Sequence, residues 1–171
     1  MIYFMFRKSK AKMPEESSDI LILGIGNDIL TDDAIGPKIV KKLQEDLSYD
    51  NLSFLTAAAG GLEILEMIKN YKQVVIIDAI KTRDGIPGTI YYLSPDNFKE
   101  TLHISSFHDV SFLTALKLAA KLEIPVPDRI DIIAIEIVED LTFSNDFSED
   151  IANKYKDIYM EIKDYVIRSI Q

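Results

Sequence analysis

The sequence predicts an α/β protein whose mostly parallel sheet is covered by helices on both faces. Strand-like runs alternate with helical runs along the chain, as βαβ units require. Two of the strand runs, 19–25 (DILILGI) and 73–80 (QVVIIDAI), are apolar almost throughout. Strands of that kind are buried on both faces, which an all-antiparallel sheet with one wet face does not need. A single short connection, 81–89, breaks the alternation and points to one hairpin-like antiparallel neighbour.

The elements follow in order. The first strand, 19–25, runs into a glycine-containing turn. Ile35, Ile39, Val40, Leu43 and Leu47 then recur on one helical face. A second strand is expected over 52–58, broken by Gly60-Gly61, with Leu62, Leu65 and Ile68 marking a short helix. After the third strand, 73–80, the turn residues Asp84-Gly85 and Pro87-Gly88 lead to a fourth strand at 89–93 (TIYYL). A helix begins near 106 and runs to about 122, and Pro125 and Pro127 separate it from a strand at 130–138. Ile151, Tyr155, Ile158, Tyr159, Ile162, Tyr165, Val166 and Ile170 line one face of a final amphipathic helix.

Composition narrows the function classes. The 171 residues suit one domain, expected over 19–171, and contain no cysteine. That excludes a disulfide framework, a cysteine zinc site and a thiol nucleophile, and it is compatible with the cytosol. The formal net charge of −9 repels nucleic acid at long range. The first eighteen residues, MIYFMFRKSKAKMPEESS, read as a mobile extension. Their apolar run is too short to span a bilayer, and the basic cluster follows it rather than preceding it, unlike a secretory signal. Met13 is an alternative start.

In open α/β sheets ligands sit beyond the carboxyl ends of the strands. Three candidate residues fall there. Gly24-Ile25-Gly26 resembles the start of a dinucleotide fingerprint, but position 29 is Ile29 and the second strand ends in Leu55-Thr56-Ala57 without the required acid. Thr31 is placed to cap the next helix, with Asp32 and Asp33 in its first turn, where carboxylates are favoured. One acid satisfies that account, leaving Asp33 available for chemistry. Asp78 follows Val74-Val75-Ile76-Ile77, and a carboxylate in so apolar a run needs a partner, a hydrogen bond or a cation. Ser106 and Asp109 form an S-x-x-D pattern that sets His108 in the first turn of its helix. The other histidine, His103, has no assigned role. Two carboxylates and an imidazole suit a divalent ion such as Ni²⁺ or Zn²⁺, with open positions for substrate or water. Neither H-E-x-x-H nor G-x-S-x-G is present.

The segments 23–36 (LGIGNDILTDDAIG), 74–80 (VVIIDAI) and 105–116 (SSFHDVSFLTAL), in this order, resemble the hydrogenase maturation endopeptidases. The resemblance implies a three-layer α/β/α sandwich with a twisted sheet of about five strands. It also implies an aspartyl-type, nickel-dependent endopeptidase. Such an enzyme removes the C-terminal extension of a [NiFe] hydrogenase large-subunit precursor after nickel insertion. On that reading Asp33, Asp78 and His108 are both the metal contacts and the catalytic set. No resident cofactor is expected: the nickel belongs to the precursor, and another divalent ion can substitute in vitro. The expected protein is a cytoplasmic monomer without membrane insertion. Two departures stand out. Thr56 occupies a position where many members carry an acid. The family's glycine and proline after the last strand, and its Gly-Leu-Ser turn, are replaced by Ala134-Ile135-Glu136-Ile137-Val138 and by 143–148 (FSNDFS), a loop placed to touch substrate. The rival readings are a phosphate- or nucleotide-binding module using the 24–36 loop, a non-catalytic metal-sensing assembly protein, and a peptidase with a different substrate.

Overall fold

The computed structural model describes residues 19–95 and 107–170, with the backbone alone for 107–111. The elements are β1 (Ile20–Ile25), α1 (Ile35–Asp46), β2 (Leu52–Ala57), α2 (Leu62–Ile68), β3 (Gln73–Ile80), β4 (Ile90–Leu93), α3 (Phe107–Lys121), β5 (Arg129–Glu136) and α4 (Glu149–Ser169). Five strands form one sheet in the order β2-β1-β3-β5-β4. β1 pairs parallel with β2 and β3, β3 pairs parallel with β5, and only β4 is antiparallel.

The near-continuous apolar character of β1 and β3 is explained by two cores, one on each face. Ile22, Val75, Ile77, Ile133 and Ile135 pack with α1 and α4 residues such as Ile39, Leu43, Ile151 and Ile162. On the opposite face Leu21, Leu23, Val74, Ile76 and Ile132 pack with Ile64 and Ile68 of α2 and Phe112 of α3. The result is a three-layer α/β/α sandwich with a five-stranded, mostly parallel sheet, as expected.

The hairpin expectation needs correction. β4 is antiparallel, but its partner is β5, and β5 occupies the place beside β3. The reason lies in relative hydrophobicity. Ile132 to Ile135 of β5 are buried and belong in the sheet interior, whereas β4 is half-exposed and suits an edge. The 81–89 connection spans the carboxyl end of β5 and is fastened there: Gly88 N–H donates to Glu136 O, and Glu136 N–H donates to Thr89 O.

Expectations for residues 1–18, His103 and Ser106 lie outside the described residues. Among the described residues no helix is long and apolar enough to cross a membrane.

Candidate functional site

The sheet order creates the crevice that the site needs. From β1 the chain crosses through α1 to β2 on one side, then returns through α2 to β3 on the other side of β1. The connections therefore diverge between the carboxyl ends of β1 and β3, the point at which open α/β sheets bind ligands. Asp33 lies in the turn after β1, and Asp78 lies in β3, two residues before its end.

Three glycines bring these segments together. A Cβ on Gly24 would lie 2.7 Å from the Gly36 carbonyl oxygen, and one on Gly36 would lie 2.5 Å from both Ile25 O and Ile77 O. The start of α1 thus rests directly on the ends of β1 and β3, against the peptide that leads into Asp78. Gly26, at φ +139°, turns the chain where a side chain would collide with Asp33 O. The glycines serve strand–helix packing. The loop amide that a phosphate would seek is already taken: Asn27 N–H donates to the Asp33 carboxylate at 2.7 Å. With three acidic side chains in the same loop, Asp28, Asp32 and Asp33, the site disfavours an anion.

Asp33 and Asp78 are both half-buried at this rim. Asp78 Oδ1 accepts Ala79 N–H at 2.8 Å. Strand alternation places Asp78 on the α2/α3 face, with Val74 and Ile76. It stands in register with Ala134, and Ala134 with Tyr91. His108 lies in the first turn of α3, which ends where the chain turns back into β5, so its first turn lies toward the same rim. Its side chain lies outside the described residues. Among the described residues no three His, Asp or Glu side chains form a ready-made metal site.

The capping expectation for Thr31 is overturned. α1 begins at Ile35, its N-cap position is Ala34, and no acid lies in its first turn. Thr31 Oγ1 donates instead to Thr142 O at 2.6 Å. Asp32 is fully buried rather than set at a helix end. It accepts Val138 N–H at 3.3 Å, Glu139 N–H at 3.0 Å, and both the N–H and the hydroxyl of Ser148 at 2.8 Å. The turn is held by this long-range partner, not by local helix capping, which is why a local pattern misplaces it.

A second buried acid went unrecognised in the sequence. Glu136 accepts Thr82 N–H at 2.6 Å and Thr82 Oγ1–H at 3.0 Å, and Gly85 lies so close that a Cβ there would overlap its carboxylate. Burial, and then the neighbouring Glu136 carboxylate, hold the Tyr91 hydroxyl above its ordinary pKa. The signal was available: Glu136 interrupts an apolar strand just as Asp78 does.

The family described as hydrogenase maturation protease matches residues 37–164, about three quarters of the chain. Hydrogenase 2 maturation protease of Escherichia coli (strain K12) is 39% identical over 75 residues, which cover 43% of this chain and 46% of that protein. Hydrogenase expression/formation protein HupD of Thiocapsa roseopersicina is 29% identical over 125 residues, 71% of this chain and 55% of HupD. The matched stretches thus span about half of these relatives' length. Among solved structures, the hydrogenase maturating endopeptidase HybD from E. coli superposes with a TM-score of 0.71 at 24% identity, covering 88% of this chain and 93% of that one. The [NiFe] hydrogenase maturation protease HybD from Thermococcus kodakarensis gives 0.61 at 25% identity, covering 84% and 97%. The first of these likenesses concerns the fold. Together with the family match over most of the sequence, they show that this chain belongs to the hydrogenase maturation protease family.

Proposed function

We propose that the protein is an endopeptidase that removes the C-terminal extension of a nickel-loaded [NiFe] hydrogenase large-subunit precursor. The observation that carries this reading is the packing of the Asp33 turn, through Gly36, onto the strand end that bears Asp78. It sets two carboxylates at one switch point, on a chain of this family.

In the proposed mechanism Asp33, Asp78 and His108 contact the nickel that the precursor already holds. The metal is part of the substrate, so the enzyme holds none of its own between turnovers. Contact with the nickel aligns the tail's scissile bond at the rim. Water adds to the scissile carbonyl carbon, a carboxylate accepts its proton, and the C–N bond breaks as the leaving amine is protonated. The bound cation supplies Lewis-acid polarisation. On this reading the enzyme works as a cytoplasmic monomer, where precursor and nickel meet.

The test is incubation with nickel-loaded and nickel-free precursor, followed by mass analysis of the precursor's C-terminus. Shortening of the loaded form alone is expected. No shortening of either form by the full chain would overturn the reading.

A further inference from the structure

The segment between β5 and α4 is joined to the Asp33 turn at many points. Thr31 N–H donates to Thr142 O, Asp32 N–H to Glu139 O, and Ser144 N–H to Ile29 O, each at 3.1 Å. Leu30 and Phe143 form an antiparallel bridge. At the centre lies the buried Asp32 carboxylate, with its four hydrogen bonds to Val138, Glu139 and Ser148.

This tightly fastened pair of loops exposes large apolar side chains. Ile29 is 53% exposed, Leu141 80% and Phe143 75%. Their backbone is ordered by the bonds above, so little conformational freedom is left to lose when a partner covers them. The adjacent carboxylates Asp28 and Asp140 are ion-paired with Lys41 and Lys81. The surface therefore offers exposed apolar side chains beside these ion pairs and the Glu139 carboxylate, and it continues directly from the turn that carries Asp33.

We propose that Asp32 is a positioning residue. It fixes the ledge formed by Leu141 and Phe143, which share one face of their segment, beside the Asp33 turn, and the ledge seats an apolar stretch of the protein substrate next to the bond that is cleaved. The inference rests on the proteolytic reading above. Asp32 itself, being buried, touches neither substrate nor metal. It acts through the backbone amides and the serine that it holds.

The test measures KM and kcat for removal of the tail from the nickel-loaded precursor. The variants are Asp32→Asn, Ser148→Ala, the ledge pair Leu141→Ser/Phe143→Ser, and Ser148→Ala combined with that pair. Asp32→Asn places an amide donor against donors, and if it does not fold, Ser148→Ala carries the test with one hydrogen bond removed. The ledge pair is expected to raise KM about tenfold, as loss of apolar contacts at an interface does. Ser148→Ala alone is expected to raise KM about threefold, the scale of one hydrogen bond. In the ledge-pair background the serine substitution should add nothing further to KM, because it acts through the same contacts. A purely structural role would not produce that coupling. Equal Ser148→Ala effects in both backgrounds, an effect on kcat alone, or no effect on KM would overturn the inference and leave the proteolytic reading standing. Failure of the wild-type chain to cleave would overturn both.

Discussion

Ser148 gives both of its hydrogen-bond donors to Asp32: its N–H reaches Oδ1 and its hydroxyl reaches Oδ2, each at 2.8 Å, across 116 residues of chain. The next residue, Asp33, accepts from Asn27, six residues away. Two adjacent acids thus divide the work. One ties the β1 turn to the start of α4, and the other remains at the half-buried rim.

That division has a measurable consequence for stability. Removing the buried Asp32 carboxylate leaves the part-buried N–H groups of Val138, Glu139 and Ser148 without their acceptor, so Asp32→Ala is expected to cost about 3 kcal/mol or more. Asp33→Ala, at a more exposed position, is expected to cost about 1 kcal/mol. Urea unfolding of both variants beside the wild type checks the order.

Gly36 offers a test of how the site is assembled. A methyl group there must push against two backbone carbonyls, Ile25 O and Ile77 O, neither of which can swing aside. Gly36→Ala is expected to cost about 2 kcal/mol or more through overpacking. It should also slow tail removal, because α1 must lift from the strand ends between which Asp33 and Asp78 sit. Thermal unfolding and a cleavage assay read the two effects separately.

Glu136 should behave as a fastener for the 81–89 connection. Glu136→Ala leaves the part-buried Thr82 donors unmatched and is expected to cost about 2–3 kcal/mol. Glu136→Gln keeps one acceptor oxygen and is expected to cost roughly half as much. Amide exchange at Thr82 should rise in the alanine variant, since its N–H bond to the carboxylate is lost.

The turn at the ledge has a defined pH response. Glu139 is held below its ordinary pKa first by hydrogen bonds from the backbone N–H groups of Leu141 and Thr142, at 2.8 and 3.0 Å, and then by the Thr142 hydroxyl and Lys81. Because folding lowers this pKa, the carboxylate's contribution is fully present above the ordinary glutamate range. It is lost as pH falls through the lowered, folded-state value. The amide resonances of Leu141 and Thr142 are expected to titrate with a midpoint below that of an unstructured glutamate. Glu139→Gln should abolish this titration.

Much of this architecture was legible in the sequence because burial on both faces leaves a plain mark. The apolar runs of β1 and β3 and the periodic face of α4 carried the fold class without help from distant contacts. The neighbour of β4 is not legible locally because sheet position depends on competition among strands: β5, more hydrophobic and later in the chain, takes the place beside β3. Asp33 and Asp78 could be singled out because an acid at the end of an apolar run is costly to bury. The same logic, applied to Glu136, would have found the buried fastener. Asp32 could not be read locally. Its role is set by Val138, Glu139 and Ser148, more than a hundred residues away, and a Thr-Asp-Asp sequence resembles a helix start whether or not one forms there.

The central claim is that Asp33, Asp78 and His108 together act on a nickel-loaded precursor. The most direct measurement compares the wild type with Asp33→Asn, Asp78→Asn and His108→Ala. Each is incubated with that precursor and the mass of its C-terminus recorded, while circular dichroism confirms the fold. Tail removal by the wild type and its loss in all three folded variants is the expected result. Complete processing by all three would contradict the account.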